Sequence, residues 1–294
     1  MKPPENNRPP ESAGPPLPAE GLKKSAKTIT DAAGRDVNVI FETEAIQLAR
    51  LHDRPLQAIY LAAMENGIWP VRYIRNRDSL SLREQKRLAQ LRAAVIGAGG
   101  LGGYVIELLA RIGFGHLTVV DPGRFDETNL NRQILADTAS LGKSKAAIAA
   151  CRAGAVNPAL IVNAHAVYLN CDNAQSLLHG CDIALDALDN METRIVLSKA
   201  CRTLKIPLVH GAISGFEGRV MAIIPDDPDI HTLFESGEQP SSEAVMGTPA
   251  IAPAVIASLQ VMEALKVVLN RGRLFRQKML YADLEDGSFN EFNF

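Results

Sequence analysis

The chain has 294 residues, 47% of them hydrophobic, and a formal net charge of −2. That supplies a core for one large domain or two small ones, and the near-balanced charge argues against a nucleic-acid or membrane surface. No apolar leader opens the chain and no uninterrupted apolar run reaches membrane-spanning length, so a cytoplasmic protein is expected.

Residues 1–27 are rich in Pro, Glu, Asn and Ser. They hold too little apolar surface to offset ordering entropy, which predicts a disordered tail of polyproline character. Residues 28–70 read as a small subdomain. "TITDAAGRDVNVIF" (28–41) alternates around a glycine turn and predicts a hairpin, and 44–66 has helical periodicity broken near Pro55. The helix pair could pass for a helix-turn-helix, but without a basic excess a packing or dimerisation unit is the better expectation.

From Arg92 the pattern becomes strand–helix–strand. Strands are predicted at 93–97, 116–121, 160–167, 182–188, 207–213 and 218–224, and helices at 100–113, 142–155, 172–180, 191–205 and 250–270. Alternation with continuous apolar strands predicts an α/β fold, a doubly wound, Rossmann-like and largely parallel sheet extended by antiparallel strands. Residues 225–249 are polar and proline-rich and read as a functional loop or crossover. The last residues predict a hairpin around Asp286-Gly287. Domain two is therefore taken as 71–294.

The first strand–helix junction is "GAGGLG" (97–102), with Gly97, Gly99 and Gly102 in the G-x-G-x-x-G register. Such a loop lets a phosphate approach the backbone at a helix N-terminus. Asp121 follows Gly102 by 19 residues, at the end of the next strand, where a carboxylate meets a ribose hydroxyl. This pattern fits an adenosine ribose and does not separate NAD from ATP. The following "TNLNRQ" and "GKSK" do. They place Asn129, Asn131, Arg132, Gln133, Lys143 and Lys145 behind the ribose aspartate, a set of amides and cations suited to a polyphosphate. A Walker A reading of "LGKSK" fails, because its first glycine would be Asp137.

In "DALDN", Asp186 and Asp189 sit at and just past a strand end, on the edge that faces the ligand crevice. Asp189 is placed to hold Mg²⁺ against phosphates. The plain alternative is that Asp189 or Asn190 caps the next helix. His210 reads as a core residue or one supporting the site from behind.

Together "GAGGLG", "LTVVD", "TNLNRQ", "GKSK", "DALDN", "PLVHGAISGFEGRV" and "SLQVMEALK" resemble the ThiF/MoeB/HesA family of ATP-dependent adenylyltransferases, which activate ubiquitin-like sulfur-carrier proteins. The resemblance spans about residues 70 to 290. It implies a glycine loop of Gly97, Gly99, Gly100 and Gly102, Asp121 on the ribose, and Asn129 and Arg132 on the phosphates, flanked by Asn131 and Gln133. It also implies Lys145 as the phosphate lysine and Asp189 on Mg²⁺ with Asn190 beside it. "RYIRN" matches the family's R-Y-x-R-Q, so the resemblance makes Arg75 a phosphate contact given in trans within a homodimer. The implied cofactors are ATP and Mg²⁺, and the implied partner is a carrier ending in Gly-Gly. The implied reaction is attack of the carrier's C-terminal carboxylate on the α-phosphorus, with release of pyrophosphate.

Two features depart from the family. Many members bind zinc through two C-x-x-C pairs. Here the four cysteines, Cys151, Cys171, Cys181 and Cys201, form no such pair and read as buried, inert thiols, so no zinc is expected. Asp226, Asp227, Asp229 and His231 are a weaker candidate metal set. No cysteine follows Cys201 either, so thioester or persulfide chemistry in the crossover loop is not expected. The competing readings are a non-catalytic, carrier-binding scaffold of the same fold and an NAD-dependent oxidoreductase.

Overall fold

The computed structural model describes residues 19–227 and 246–293, which fall into two compact units divided between Gln90 and Leu91. Most of the crossover segment and of the proline-rich tail lies outside the described residues.

The first unit holds a three-stranded sheet and four helices. Helix α1 (Ala19–Ser25) precedes the hairpin of β1 (Lys27–Thr30) and β2 (Asp36–Ile40), and α2 (Glu42–Leu51) and α3 (Leu56–Glu65) follow. The short β3 (Trp69–Pro70) pairs in parallel with β2. A 3₁₀ turn over Val71–Asn76 and α4 (Leu82–Gln90) complete the unit. Two boundaries differ from the sequence reading. The tail reading extended to residue 27, but Leu22 is buried and its single anchor suffices to order Ala19–Ser25. The subdomain runs on to Gln90, past the expected residue 70, because α4 packs on α3 and the Gln57 side chain donates to the Ala89 carbonyl at 2.9 Å.

The second unit is an eight-stranded sheet of order β11-β10-β9-β8-β7-β4-β5-β6. Its parallel part comprises β4 (Arg92–Ile96), β5 (His116–Val120), β6 (Ile161–His165), β7 (Ile183–Asp186) and the start of β8 (Leu208–Ser214). The antiparallel extension adds β9 (Glu217–Ile223) and the hairpin of β10 (Lys278–Asp283) and β11 (Ser288–Asn293). Helices α5 (Gly100–Ile112), α6 (Lys145–Val156) and α9 (Ile251–Leu269) pack together on the sheet, while α7 (Ala174–Leu178) and α8 (Met191–Leu204) form a separate pair. Ala94, Ile96, Val120 and Ala184 share a buried core with Leu178, Leu197 and Ala200 of that pair.

Every strand and helix predicted from residue 92 onward is present. Helix α6 begins three residues later than the periodicity suggests, because Ser144 caps it by accepting the Ala147 N–H. Helix α9 qualifies by length and composition as a membrane span, although Ser258, Gln260, Glu263 and Lys266 interrupt its apolar run, as the sequence reading had it. It packs instead on α5, β8 and β9, with Ala252, Ile256 and Val261 buried beside Gln260 and Glu263. The cysteine reading holds for Cys181 and Cys201 alone; Cys151 and Cys171 are exposed, since α6 and the segment before α7 turn them toward solvent.

Candidate active site

Strand order reverses at the β4–β7 junction, since the chain runs from β4 to β5 and β6 on one side and to β7 and β8 on the other. In an open α/β sheet the crevice at the carboxyl ends beside that junction is where ligands bind. The glycine loop lies there, between β4 and α5. Gly97 has φ +98°, and a Cβ on it would lie 2.4 Å from the Ala187 carbonyl oxygen just past β7. A Cβ on Gly102 would lie 1.9 Å from the Gly97 carbonyl oxygen. Both positions are closed to any side chain by backbone. Gly99 and Gly100 face roomier surroundings, bounded by the side chains of Gln133, Arg132 and Pro253 at 3.6–3.8 Å.

Asp121 follows β5 and is almost fully buried. One carboxylate oxygen accepts the Ala98 N–H and the other the Gly123 N–H, each at 2.7 Å. It braces the glycine loop, a duty its spacing alone did not suggest. Each oxygen keeps a lone pair for a ribose hydroxyl.

Behind Asp121 the chain doubles back on itself. Arg124 bridges antiparallel to Ser144, the Phe125 N–H donates to the Lys143 carbonyl, and the Lys145 N–H donates to the Gly123 carbonyl. This pairing draws Lys145 to Asp121: a Cβ on Gly123 would lie 3.0 Å from an Asp121 oxygen and 3.4 Å from the Lys145 stem. The Lys145 ammonium stands 5.8 Å from the Phe125 ring centroid, while Lys143 takes part through its backbone.

The "TNLNRQ" residues divide their work. Asn129 is buried and closes a capping box with Asp126 over a short 3₁₀ turn, so its side chain is structural here. Asn131 reaches the Thr248 carbonyl at 3.4 Å. Arg132 is held over the loop by the Thr128 carbonyl (2.8 Å) and Asn131 Oδ1 (2.9 Å). Gln133 is buried and its Oε1 has no hydrogen-bond partner.

Past β7, Asn190 caps α8 by accepting the Thr193 N–H at 2.9 Å. That settles the capping question for Asn190 and leaves Asp189 free of that duty. Asp189 is exposed and accepts one N–H from Asn190 at 3.1 Å. Among the described residues no group of three or more His, Cys, Asp or Glu side chains could hold a metal. An exposed carboxylate of this kind suits Mg²⁺, which takes one or two carboxylates and completes its shell with other ligands and water.

Of the weaker metal set, Asp229 and His231 lie outside the described residues. Asp227 is committed elsewhere: it is buried, ion-paired with Arg276 at 2.8 Å, and accepts the Ile224 N–H at 2.9 Å. Arg75 is exposed on its 3₁₀ turn and forms no ion pair among the described residues, whereas Arg72 and Arg77 are paired with Glu42 and Asp31.

Sequence reasoning missed one arrangement at this edge. Asp186, fully buried at the end of β7, meets His210 Nδ1 at 2.7 Å and Arg194 Nε at 3.3 Å. Burial alone would raise its pKa; Arg194 and His210 overcome it and hold the carboxyl below its usual range. Burial likewise pushes the His210 imidazole below its ordinary value, against the pull of Asp186. The pair is therefore a carboxylate and a neutral ring. The available signal was Gln260, a polar residue on an apolar face of α9; it bonds the Asp186 and Val209 carbonyls at 2.8 and 2.9 Å.

Residues 73–294 match the model of the ThiF family. The chain belongs to that family. Curated relatives include the SAMP-activating enzyme E1 of Haloferax volcanii, 35% identical over 72% of this chain and 80% of the relative. The sulfur carrier protein adenylyltransferase of Thermus thermophilus is 37% identical over 70% and 80%. Among solved structures, Escherichia coli MccB with ATP superposes with a TM-score of 0.67 at 17% identity, over 86% of this chain and 78% of that one. PaaA does so at 0.63 and 16%, over 92% and 98%; likeness at these identities speaks to the fold. This ThiF-family chain is an ATP-dependent adenylyltransferase, and the oxidoreductase alternative falls with that.

Proposed function

We propose that the enzyme adenylates the C-terminal carboxylate of a ubiquitin-like sulfur-carrier protein. What supports this reading is a backbone-walled glycine loop with Arg132 against it, Lys145 beside Asp121, and Asp189 just past the carboxyl end of the neighbouring strand β7. The polar set also fits ATP: α5 presents its first backbone N–H groups to an anion, and the buried Gln133 Oε1, which has no hydrogen-bond partner, is an acceptor left for a ligand N–H or O–H.

A carboxylate is an anionic nucleophile at neutral pH, so no general base is required. Its oxygen forms a bond to the α-phosphorus while the bond to the bridging oxygen breaks, and pyrophosphate leaves. Asp121 orients the ribose, and Arg132 and Lys145 neutralise charge that moves onto the leaving phosphates. Asp189 would hold Mg²⁺, which when bound would add to the charge neutralisation at the leaving phosphates. Arg75, left without an acid partner in its own unit, is offered to the phosphates of a second copy in a homodimer.

ATP–pyrophosphate exchange tests the reading. Exchange should require a small carrier ending in Gly-Gly and vanish when that tail is removed. A chain that exchanges equally well without any carrier, or with none of a panel of such carriers, does not perform this reaction.

A further inference from the structure

Asp189 sits in a four-residue bridge, Ala187 to Asn190, between β7, which ends at Asp186, and α8, which starts at Met191. Short loops of this kind can swing, yet this one is held on both sides of Asp189. The Asp186 carboxylate accepts the Leu188 N–H at 2.9 Å, and the Arg194 guanidinium donates to the Leu188 carbonyl. Leu188, the residue immediately before Asp189, is thus held at its N–H by the Asp186 carboxylate and at its carbonyl by Arg194. Asn190 anchors the other side as the cap of α8.

The grip depends on Asp186 pointing toward Leu188, and His210 decides that. Asp186 and His210 are register partners on neighbouring parallel strands, so their side chains emerge on one face. The imidazole takes one carboxylate oxygen through Nδ1, leaving the other for Leu188. Gln260 clamps the backbones of both strands at this level, and its carboxamide lies so close to Gly211 that a Cβ there would come within 2.7 Å of it. His210 is 1% exposed.

We propose that His210 is a positioning residue of the adenylylation site, acting through Asp186 and Arg194 to fix the backbone that carries Asp189. The inference rests on the reading of Asp189 as the carboxylate that holds Mg²⁺. Groups that orient a metal-holding carboxylate from behind commonly change metal affinity by about 10- to 100-fold when removed.

The test is equilibrium binding of ATP to the full chain by calorimetry across a Mg²⁺ titration, with EDTA as the metal-free arm. His210→Leu should raise the Mg²⁺ concentration for the half-maximal effect by about 10-fold or more, while ATP affinity in EDTA and the far-UV circular dichroism stay at wild-type values. His210→Asn, whose amide can stand in for Nδ1–H, should restore the Mg²⁺ response. Wild-type Mg²⁺ dependence in His210→Leu overturns the proposal, as does an equal loss of affinity with and without metal, or an Asn variant no better than Leu.

If His210→Leu does not fold, His210→Gln decides, because it keeps an N–H donor on a longer arm. It should show the raised Mg²⁺ requirement, and a wild-type response in it refutes the role. Asp189→Asn separates the two layers. A preserved Mg²⁺ response there removes the underlying reading, whereas a lost response beside a wild-type His210→Leu removes the positioning role alone.

Discussion

Gly102→Ala probes the glycine loop by adding one methyl group where the backbone leaves no room. The new Cβ would stand 1.9 Å from the Gly97 carbonyl oxygen, 2.7 Å from its carbon and 3.2 Å from the Ala187 Cβ. Ordinary contact is about 3.5 Å, so roughly 1.6 Å must be found, and the nearest two atoms are backbone. Helix α5 must therefore move off the end of β4. Overpacking of this kind costs about 1–3 kcal/mol, which for a unit of this size lowers the melting temperature by about 4–8 °C at the middle of that range. A displacement of about 1 Å at the phosphate cradle costs about 100-fold in rate. Gly100→Ala is the control: its Cβ would meet Pro253 and Arg132 at 3.6 and 3.7 Å, ordinary contacts, in a helical residue. Differential scanning fluorimetry should show Gly102→Ala melting below Gly100→Ala, and calorimetry should show ATP affinity lost in the former. If the two variants melt together and Gly102→Ala binds ATP like the wild type, the loop is not the tight cradle described here.

Arg132→Ala and Asp189→Ala should each lower carrier-dependent pyrophosphate exchange by at least about 100-fold with the melting temperature unchanged; near-normal turnover in both would mean the site is misassigned. Arg75→Ala should be inactive alone but partly rescued when mixed with Arg132→Ala, since one of the two crevices in a mixed dimer keeps both arginines; absence of rescue places Arg75 in the service of its own chain. Stability should also respond to pH through His210. Its folded pKa lies below the ordinary value near 6.5, so the unfolded chain binds the extra proton first as pH falls. The contribution is complete above about pH 6.5 and lost on acidification below it, and His210→Asn should flatten that part of a melting-temperature profile between pH 7 and 5. An unchanged slope in the variant assigns the acid sensitivity to other groups.

The fold from β4 onward was legible because each element carries its own signal: continuous apolar strands, a helical period and, at the first turn, glycines that only backbone crowding explains. That Asp121 and Asp189 lie just past the carboxyl ends of β5 and β7 was legible by position, since those strand ends share one edge of the sheet. What each does locally was less so. Asn129 carried a phosphate-binding look, yet its amide closes a turn with Asp126, and no spacing rule distinguishes the two uses. The extent of the first unit was hidden because α4 owes its place to packing on α3 rather than to any break in composition near residue 70.

The Asp186–His210–Arg194 cluster marks where single-sequence reasoning stops, and the reason is geometric. Both strands were predicted, and so was the helix that carries Arg194. Their register was not, because a buried parallel sheet has apolar residues on both faces and therefore no alternation to fix how far one strand slides along the next. Slipping β8 by one residue would turn His210 to the opposite face and put Gly211, with no side chain at all, opposite Asp186. The carboxylate would then be buried beside Arg194 with one oxygen lacking its partner, a costly state. The same polar cluster that the sequence could not reveal thus favours one register over its neighbours. The registration of β7 and β8 and the posture of the Asp189 loop are set by one arrangement of side chains, so a substitution that loosens the first is expected to disturb the second.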